Sequence, residues 1–296
     1  MPRQVRANHH PNFTLHRLVD RVRPHECEIQ AVRDRFGEIR RRLAQAFPGT
    51  RMVPIGSHSR GTAIAVHSSV DFLAVLPPEW ATWGARRVSP LTIMRRMTEN
   101  LADAFATEVR PDGRAVELYF KGVTFSVDVV PGFVMRDVEH YPVYLVPGEE
   151  NRWIEASPER HTALFARANA RCDAKLRSIS QLVRTWQRAG SPSLGISGFY
   201  VDMMLATSDI AWGVKSYGQC LNDFFAELVR REMRGLLDPV GVSGVIVANS
   251  SSAGLERLYN AVKAAHELSQ AALDAQGQGD NAEANGRWKA LFKRAL

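Results

Sequence analysis

The apolar positions change their period about halfway along the chain. Leu15, Leu18, Val19 and Val22, then Ile29, Val32, Phe36, Ile39, Leu43 and Phe47, recur at steps of three and four. That spacing predicts one long helix over residues 13–47, bent near Pro24 and closed by Pro48-Gly49. Residues 51–55 then read as a short strand, followed by the small-residue stretch Gly56-Ser57-His58-Ser59-Arg60-Gly61-Thr62, which suits a short helix. Residues 70–76 are continuously apolar except for Asp71, the pattern of a buried strand, and Pro77-Pro78 ends it. A helix is predicted over 90–107, with Leu91, Met94, Met97, Leu101 and Phe105 on one face. A hairpin follows. Residues 115–120 and 123–130 flank the turn Lys121-Gly122, and Pro131-Gly132 closes the second strand.

From about residue 159 the patterns are helical. Leu176, Ile179, Leu182, Val183 and Trp186 form one apolar stripe. Further helices are predicted at 197–207, at 221–237 and through Leu255, Leu258, Val262, Ala265, Leu268 and Ala272. A polar turn at 274–282 precedes a last helix carrying Trp288, Leu291 and Phe292. The expected class is α+β: a small mixed sheet with helices in residues 1–158, including the long N-terminal helix, and a helical C-terminal lobe in 159–296. A cleft between two such lobes is a common place for a ligand.

Charge narrows the ligand. The formal net charge of +7, carried mostly by arginine, favours polyanions such as nucleotides, triphosphates or nucleic acid without choosing among them. Cys27, Cys172 and Cys220 are far apart and odd in number, which argues against a disulfide framework or a zinc site and for free thiols in a reducing cytoplasm. The first ten residues are polar and basic, so no signal peptide is expected, and no run is long enough to span a membrane.

Three pieces carry candidate chemistry. Gly56-Ser57 follows a strand, where a glycine lets backbone approach a phosphate and the serine hydroxyl adds a donor; Gly-Ser after a strand is by itself usually a turn. Ser69 and Asp71 alternate onto one face at the entrance of a buried strand. A carboxylate there needs a partner or a metal, and capping a neighbouring loop would also satisfy it. Asp128 stands on a hairpin strand whose Val127 and Val129 face the core, on a polar face shared with Ser126 and Thr124; an arginine or lysine partner would explain it as well as a ligand would. Carboxylates on adjacent strands opposite a phosphate-holding loop form a layout for in-line nucleotidyl transfer.

The order of these motifs resembles the polymerase-β-like nucleotidyltransferases. Gly56-Ser57, Gly61-Thr62, Ile64, Ser68-Ser69-Val70-Asp71 and Val127-Asp128-Val129-Val130-Pro131 look like that family's signature. The likeness is greatest to the oligoadenylate-synthetase and cyclic-GMP–AMP-synthase branch, in particular the bacterial CD-NTases of CBASS antiphage defence. It extends through Leu182-Val183-Arg184-Thr185-Trp186, the helix led by Ser197 through Asp202, and the closing segment to Phe292. The resemblance implies a bilobal nucleotidyltransferase fold. It implies ATP or GTP bound on Gly56, Ser57, Arg184 and Ser197, and Mg²⁺ (or Mn²⁺) on Asp71 and Asp128. A 2′- or 3′-hydroxyl would attack the α-phosphorus, giving a linear or cyclic oligonucleotide messenger for a downstream effector. A protein or nucleic-acid activator fits the same picture. Arg184 stands where the family commonly has lysine, and a solvated helix charge is the other reading of it.

One departure stands out. The family pattern has Asp-x-Asp where this chain has Ser69-Val70-Asp71, so the expected carboxylates fall from three to two. A replaced catalytic residue, a chain that binds nucleotides or nucleic acid without turnover, and a water held by Ser69 in the carboxylate's place all fit the sequence. A transferase acting on RNA ends is a further alternative.

Overall fold

A mixed sheet organises the first of two units in the computed structural model, which describes residues 10–65, 69–84, 86–102, 108–190 and 193–293. That unit comprises Pro24–Ala163 with Val240–Gly244; the second comprises Met1–Arg23, Leu164–Pro239 and Val245–Leu296. The first helix packs with the helical unit. Ser68 and Phe105 lie outside the described residues.

The predicted long helix is two helices, α1 (Pro11–Val22) and α2 (Glu26–Ala46). Proline at position 24 has no N–H to continue a ladder, and the residue before it is driven to extended backbone, as Arg23 is (ψ 139°). The backbone N–H of His25 donates to the Glu28 carboxylate at 2.9 Å, starting α2. The strands of the sheet unit are β1 (Arg51–Pro54), β2 (Val70–Val75), β5 (Val109–Asp112), β6 (Ala115–Tyr119), β7 (Ser126–Val138), β8 (Tyr141–Pro147) and β9 (Trp153–Ala156). A small separate pair, β3 (Thr82–Trp83) and β4 (Arg86–Arg87), precedes α4 (Pro90–Ala102). The main sheet runs β1-β2-β7-β6-β5, with β8 on β7 and β9 on β8. Only β2 and β7 pair in parallel; every other pairing in it is antiparallel.

Alternation gives the sheet two faces. Val70, Phe72 and Ala74 of β2, with Val127 and Val129 of β7 and Val116 and Leu118 of β6, pack against Ile39 and Leu43 of α2 and Ile93, Met97 and Leu101 of α4. Leu73 and Val75 point the other way, onto Tyr144 and Val146. Between β1 and β2 the short helix α3 (Gly56–Arg60) carries the Gly-Ser motif.

Two predicted boundaries move. Pro131-Gly132 does not end its strand: β7 continues to Val138. Its pairing with β6 stops at Val129 and its pairing with β8 begins at Phe133. Pro131 falls in the gap, where that edge of the strand has no partner, among the described residues, awaiting its N–H. The helix predicted over 221–237 is α8 (Tyr217–Arg230), and Leu236–Leu237 instead form β10, paired with β11 (Val245–Ile246). Glu232 and Met233 have positive φ, which no helix sustains.

The helical unit is built from α1, α5 (Pro158–Arg171), α6 (Lys175–Ala189), α7 (Gly198–Ala206), α8, α9 (Ser252–Gly277) and α10 (Asn281–Phe292); α5 begins in the sheet unit. The apolar stripe of α6 is buried as its spacing predicts, and Leu15, Leu18 and Val19 of α1 join it with Phe224, Phe225, Trp288 and Phe292. The polar turn read at 274–282 is shorter, because α9 runs on to Gly277. Among the described residues, no helix is long and apolar enough to cross a membrane.

Candidate active site

The strand register brings the two predicted carboxylates together. Asp71 of β2 stands directly across from Asp128 of β7. Their neighbours Val70, Phe72, Val127 and Val129 are all buried on the opposite face, so both aspartates lie on the face that Leu73 and Val75 share farther along β2. Ser69 lies two residues before Asp71 and on its face, close enough to the Asp128 side chain for its hydroxyl to lower that carboxyl's pKa. A carboxylate has no proton to give, so the hydroxyl donates. The Oδ1 atom of Asp128 is buried without a hydrogen-bond partner. Burial pushes the Asp128 carboxyl up to about 6; the Ser69 hydrogen bond pulls it down, and the charges of Glu117 and Asp112 add to the rise.

Glu117 has no role in the sequence-based site, yet it stands across from Asp128 on β6, and Arg110 of β5 stands across from Glu117. One row therefore crosses four strands: Asp71, Asp128, Glu117, Arg110. The Glu117 carboxylate accepts from the Tyr119 hydroxyl at 2.8 Å and from Arg110 Nε at 3.2 Å. Burial raises its pKa, and these hydrogen bonds more than reverse the effect, leaving it below the usual glutamate value. The signal in the sequence was an acid set between the core positions Val116 and Leu118, which alternation places on the polar face.

Gly56 lies against Asp71. The N–H of Ile55 donates to the Asp71 carbonyl at 3.0 Å, and Gly56 has φ 70°. A Cβ at position 56 would sit 1.9 Å from Asp71 Oδ2. Only glycine allows this approach, for reasons of both space and backbone. Ser57 is buried beside it, and the backbone carbonyl of Ser57 accepts from Thr62 N at 2.9 Å, closing the loop.

In the helical unit Arg184 and Ser197 meet at the start of α7. Ser197 caps that helix, its hydroxyl accepting from Tyr200 N at 3.3 Å. Arg184 Nη2 donates to Asp202 Oδ2 and to the Gly198 carbonyl, both at 3.0 Å. Ser180 Oγ donates to the other Asp202 oxygen at 2.6 Å. Asp202 is fully buried and the Arg184 side chain only 17% exposed, so Arg184 is a buried, paired cation rather than a solvated helix charge. Sequence reasoning missed Asp202 and Ser180 as its partners, because that contact joins two helices.

The donor set suits a hard divalent cation in part. Two in-register carboxylates, one with an orphaned buried oxygen, are ligands of the right kind. Among the described residues, no group of three His, Cys, Asp or Glu side chains is placed to hold a metal ion. The shortfall falls where Ser69 stands.

Residues 11–169 match the Second Messenger Oligonucleotide or Dinucleotide Synthetase domain. No curated protein matches the chain. Among solved structures, the chain is similar to Escherichia coli MS115-1 CdnC with ATP (TM-score 0.76, 18% identity, 97% of this chain and 99% of that one). It is also similar to the same protein in a CdnC:HORMA-deltaN complex (TM-score 0.74, 17% identity, 96% and 97%). Vibrio cholerae DncV cyclic AMP-GMP synthase, solved with the linear intermediate 5′ pppA(3′,5′)pG, is similar at TM-score 0.64 and 12% identity, over 83% of this chain and 70% of that one.

Proposed function

We propose, for a chain that belongs to the Second Messenger Oligonucleotide or Dinucleotide Synthetase family, that it joins nucleoside triphosphates into an oligonucleotide messenger. The observation that carries this reading is the Asp71–Asp128 pair in register beneath Gly56, with one carboxylate oxygen of Asp128 buried and unpartnered. ATP or GTP is the expected substrate. Its triphosphate binds along Gly56 and Ser57. Asp71 and Asp128 would hold Mg²⁺ or Mn²⁺, which supplies charge neutralisation for the triphosphate and lowers the pKa of an attacking hydroxyl. The 2′- or 3′-hydroxyl of a second nucleotide attacks the α-phosphorus, a phosphoester forms, and pyrophosphate leaves.

Ser69 sets the level of activity in this reading. Its hydroxyl favours the charged form of Asp128 but brings no charge of its own. Loss of one electrostatic stabiliser of a transition state typically lowers turnover by about 10²–10³-fold. Antiphage defence, an activating partner of protein or nucleic acid (CdnC has been solved in a complex with HORMA-deltaN) and an effector that reads the product complete the proposal.

The test compares the chain as it stands with Ser69→Asp, each incubated with labelled NTPs and Mg²⁺ and the products resolved. Ser69→Asp should turn over at least about 10²-fold faster. If it makes no product from any NTP while binding none, the transferase reading fails. Mg²⁺-dependent nucleotide binding without product in either form would favour the second reading, a nucleotide-binding homologue without catalysis, which Ser69 itself motivates.

A further inference from the structure

We infer that Tyr119 and Arg110, at the β5–β6 edge of the sheet, hold the base of the acceptor nucleotide and so help to set which nucleotide is extended. This rests on the transferase reading above. The argument starts from the order of groups across one face. Gly56 and Ser57 lie on the β1–β2 side of Asp71, and the row then runs through Asp128 and Glu117 to Arg110. A donor triphosphate on Gly56-Ser57 fills the β1–β2 side of the carboxylates. In-line displacement brings the attacking hydroxyl from the opposite side, which is the side of β6 and β5.

What waits there is a built aromatic platform. Tyr119 lies across from Ser126, two residues before Asp128, so its ring shares the face of the carboxylates. It is 36% exposed. The Arg110 guanidinium carbon sits 5.0 Å from the ring centroid, and Arg110 Nη2 donates to the Tyr119 hydroxyl at 2.8 Å. Glu117 fixes both partners, accepting from each, and Glu108 adds a weaker contact to Arg110 at 3.5 Å. Such exposed ion pairs contribute little to stability. They do hold a phenol and a guanidinium in one layered arrangement, the surface on which unstacked bases settle. Adjacent strands are spaced by about 4.8 Å, so Arg110 lies about 10 Å from Asp128. That separation suits a ribose hydroxyl placed at the carboxylates and its base placed over the platform.

Counting bound nucleotides tests this without relying on turnover. Equilibrium dialysis with the α,β-methylene analogues of ATP and GTP, alone and together in Mg²⁺, should give two nucleotides on the unsubstituted chain. Tyr119→Ala should bind one, the remaining site unchanged within about two-fold. Arg110→Ala should weaken only the second site, by about ten-fold, and Tyr119→Phe, which keeps the ring, should retain both. Melting temperatures of the three variants should match that of the parent. Two nucleotides on Tyr119→Ala with parental affinity, or one on parent and variant alike, overturns the assignment and leaves the transferase reading intact. No nucleotide on any form overturns the transferase reading and the assignment with it.

Discussion

Asp128 is expected to be held at a cost to stability at neutral pH, and Asp128→Asn should recover it. The carboxyl titrates at about 6 in the fold against an ordinary 3.8, chiefly because of burial. Between those two values the folded chain keeps a proton that the unfolded chain has shed. Stability from this group is therefore complete below pH 3.8 and falls as the pH rises to about 6. Each pKa unit is worth about 1.4 kcal/mol, so the ceiling is about 3 kcal/mol. The side chain is partly exposed, and screening brings the working figure to about 1–2 kcal/mol. Asparagine keeps the shape and the acceptor for Ser69 while removing the charge. Urea unfolding followed by tryptophan fluorescence, in EDTA and from pH 4 to 8, should show Asp128→Asn more stable than the parent by that amount at pH 7.5. The two should converge at pH 4. Ser69→Ala, which deletes the hydrogen bond that lowers the Asp128 pKa, should make the parental decline steeper. Equal stabilities at pH 7.5 would refute the charge argument. A gain of the same size at both ends of the pH range would refute it too, by pointing to packing instead. With Mg²⁺ in place of EDTA and no urea, Asp128→Asn should lose Mg²⁺-dependent nucleotide binding.

Gly56→Ala should abolish that binding and destabilise the sheet unit far more than Gly122→Ala does, as read from their unfolding midpoints. Both glycines have positive φ, but only at position 56 does a Cβ meet the Asp71 carboxylate, while nothing lies within 4 Å at Gly122; equal losses would remove the steric argument. In the helical unit Asp202→Ala should cost about 3 kcal/mol by leaving the Arg184 guanidinium buried with its main counter-charge gone. Pairing it as Asp202→Leu with Arg184→Met should return most of that loss in thermal unfolding, and a double variant no better than the single would argue against a desolvated pair.

Much of the fold was legible because the apolar residues of α4, α6 and α9 recur at helical spacing, and those of β2 and β7 show the run or the alternation of strands. What was misread follows from physics that a local pattern does not carry. The handover of β7 from β6 to β8 depends on which strand lies alongside, so Pro131 looked like a terminator. Leu236 and Leu237 extend the apolar count of α8, but left-handed backbone at Glu232 and Met233 ends it. Strands β8 and β9 were not predicted. Asp71 and Asp128 could be singled out individually as acids in apolar strands; that they face each other is a matter of register. Glu117 shows the same limit, since its place beside Asp128 comes from pairing between strands.

The hydrogen bond from Ser69 to Asp128 has a consequence for when this protein can exist as a folded chain. Three carboxylates gathered at one strand end repel until a cation separates them, and a fold built that way depends on its ion supply. Here an uncharged hydroxyl stands where a third negative charge would, so less repulsion gathers at that strand end. The fold therefore leans less on a bound cation than it would with a third carboxylate at that strand end.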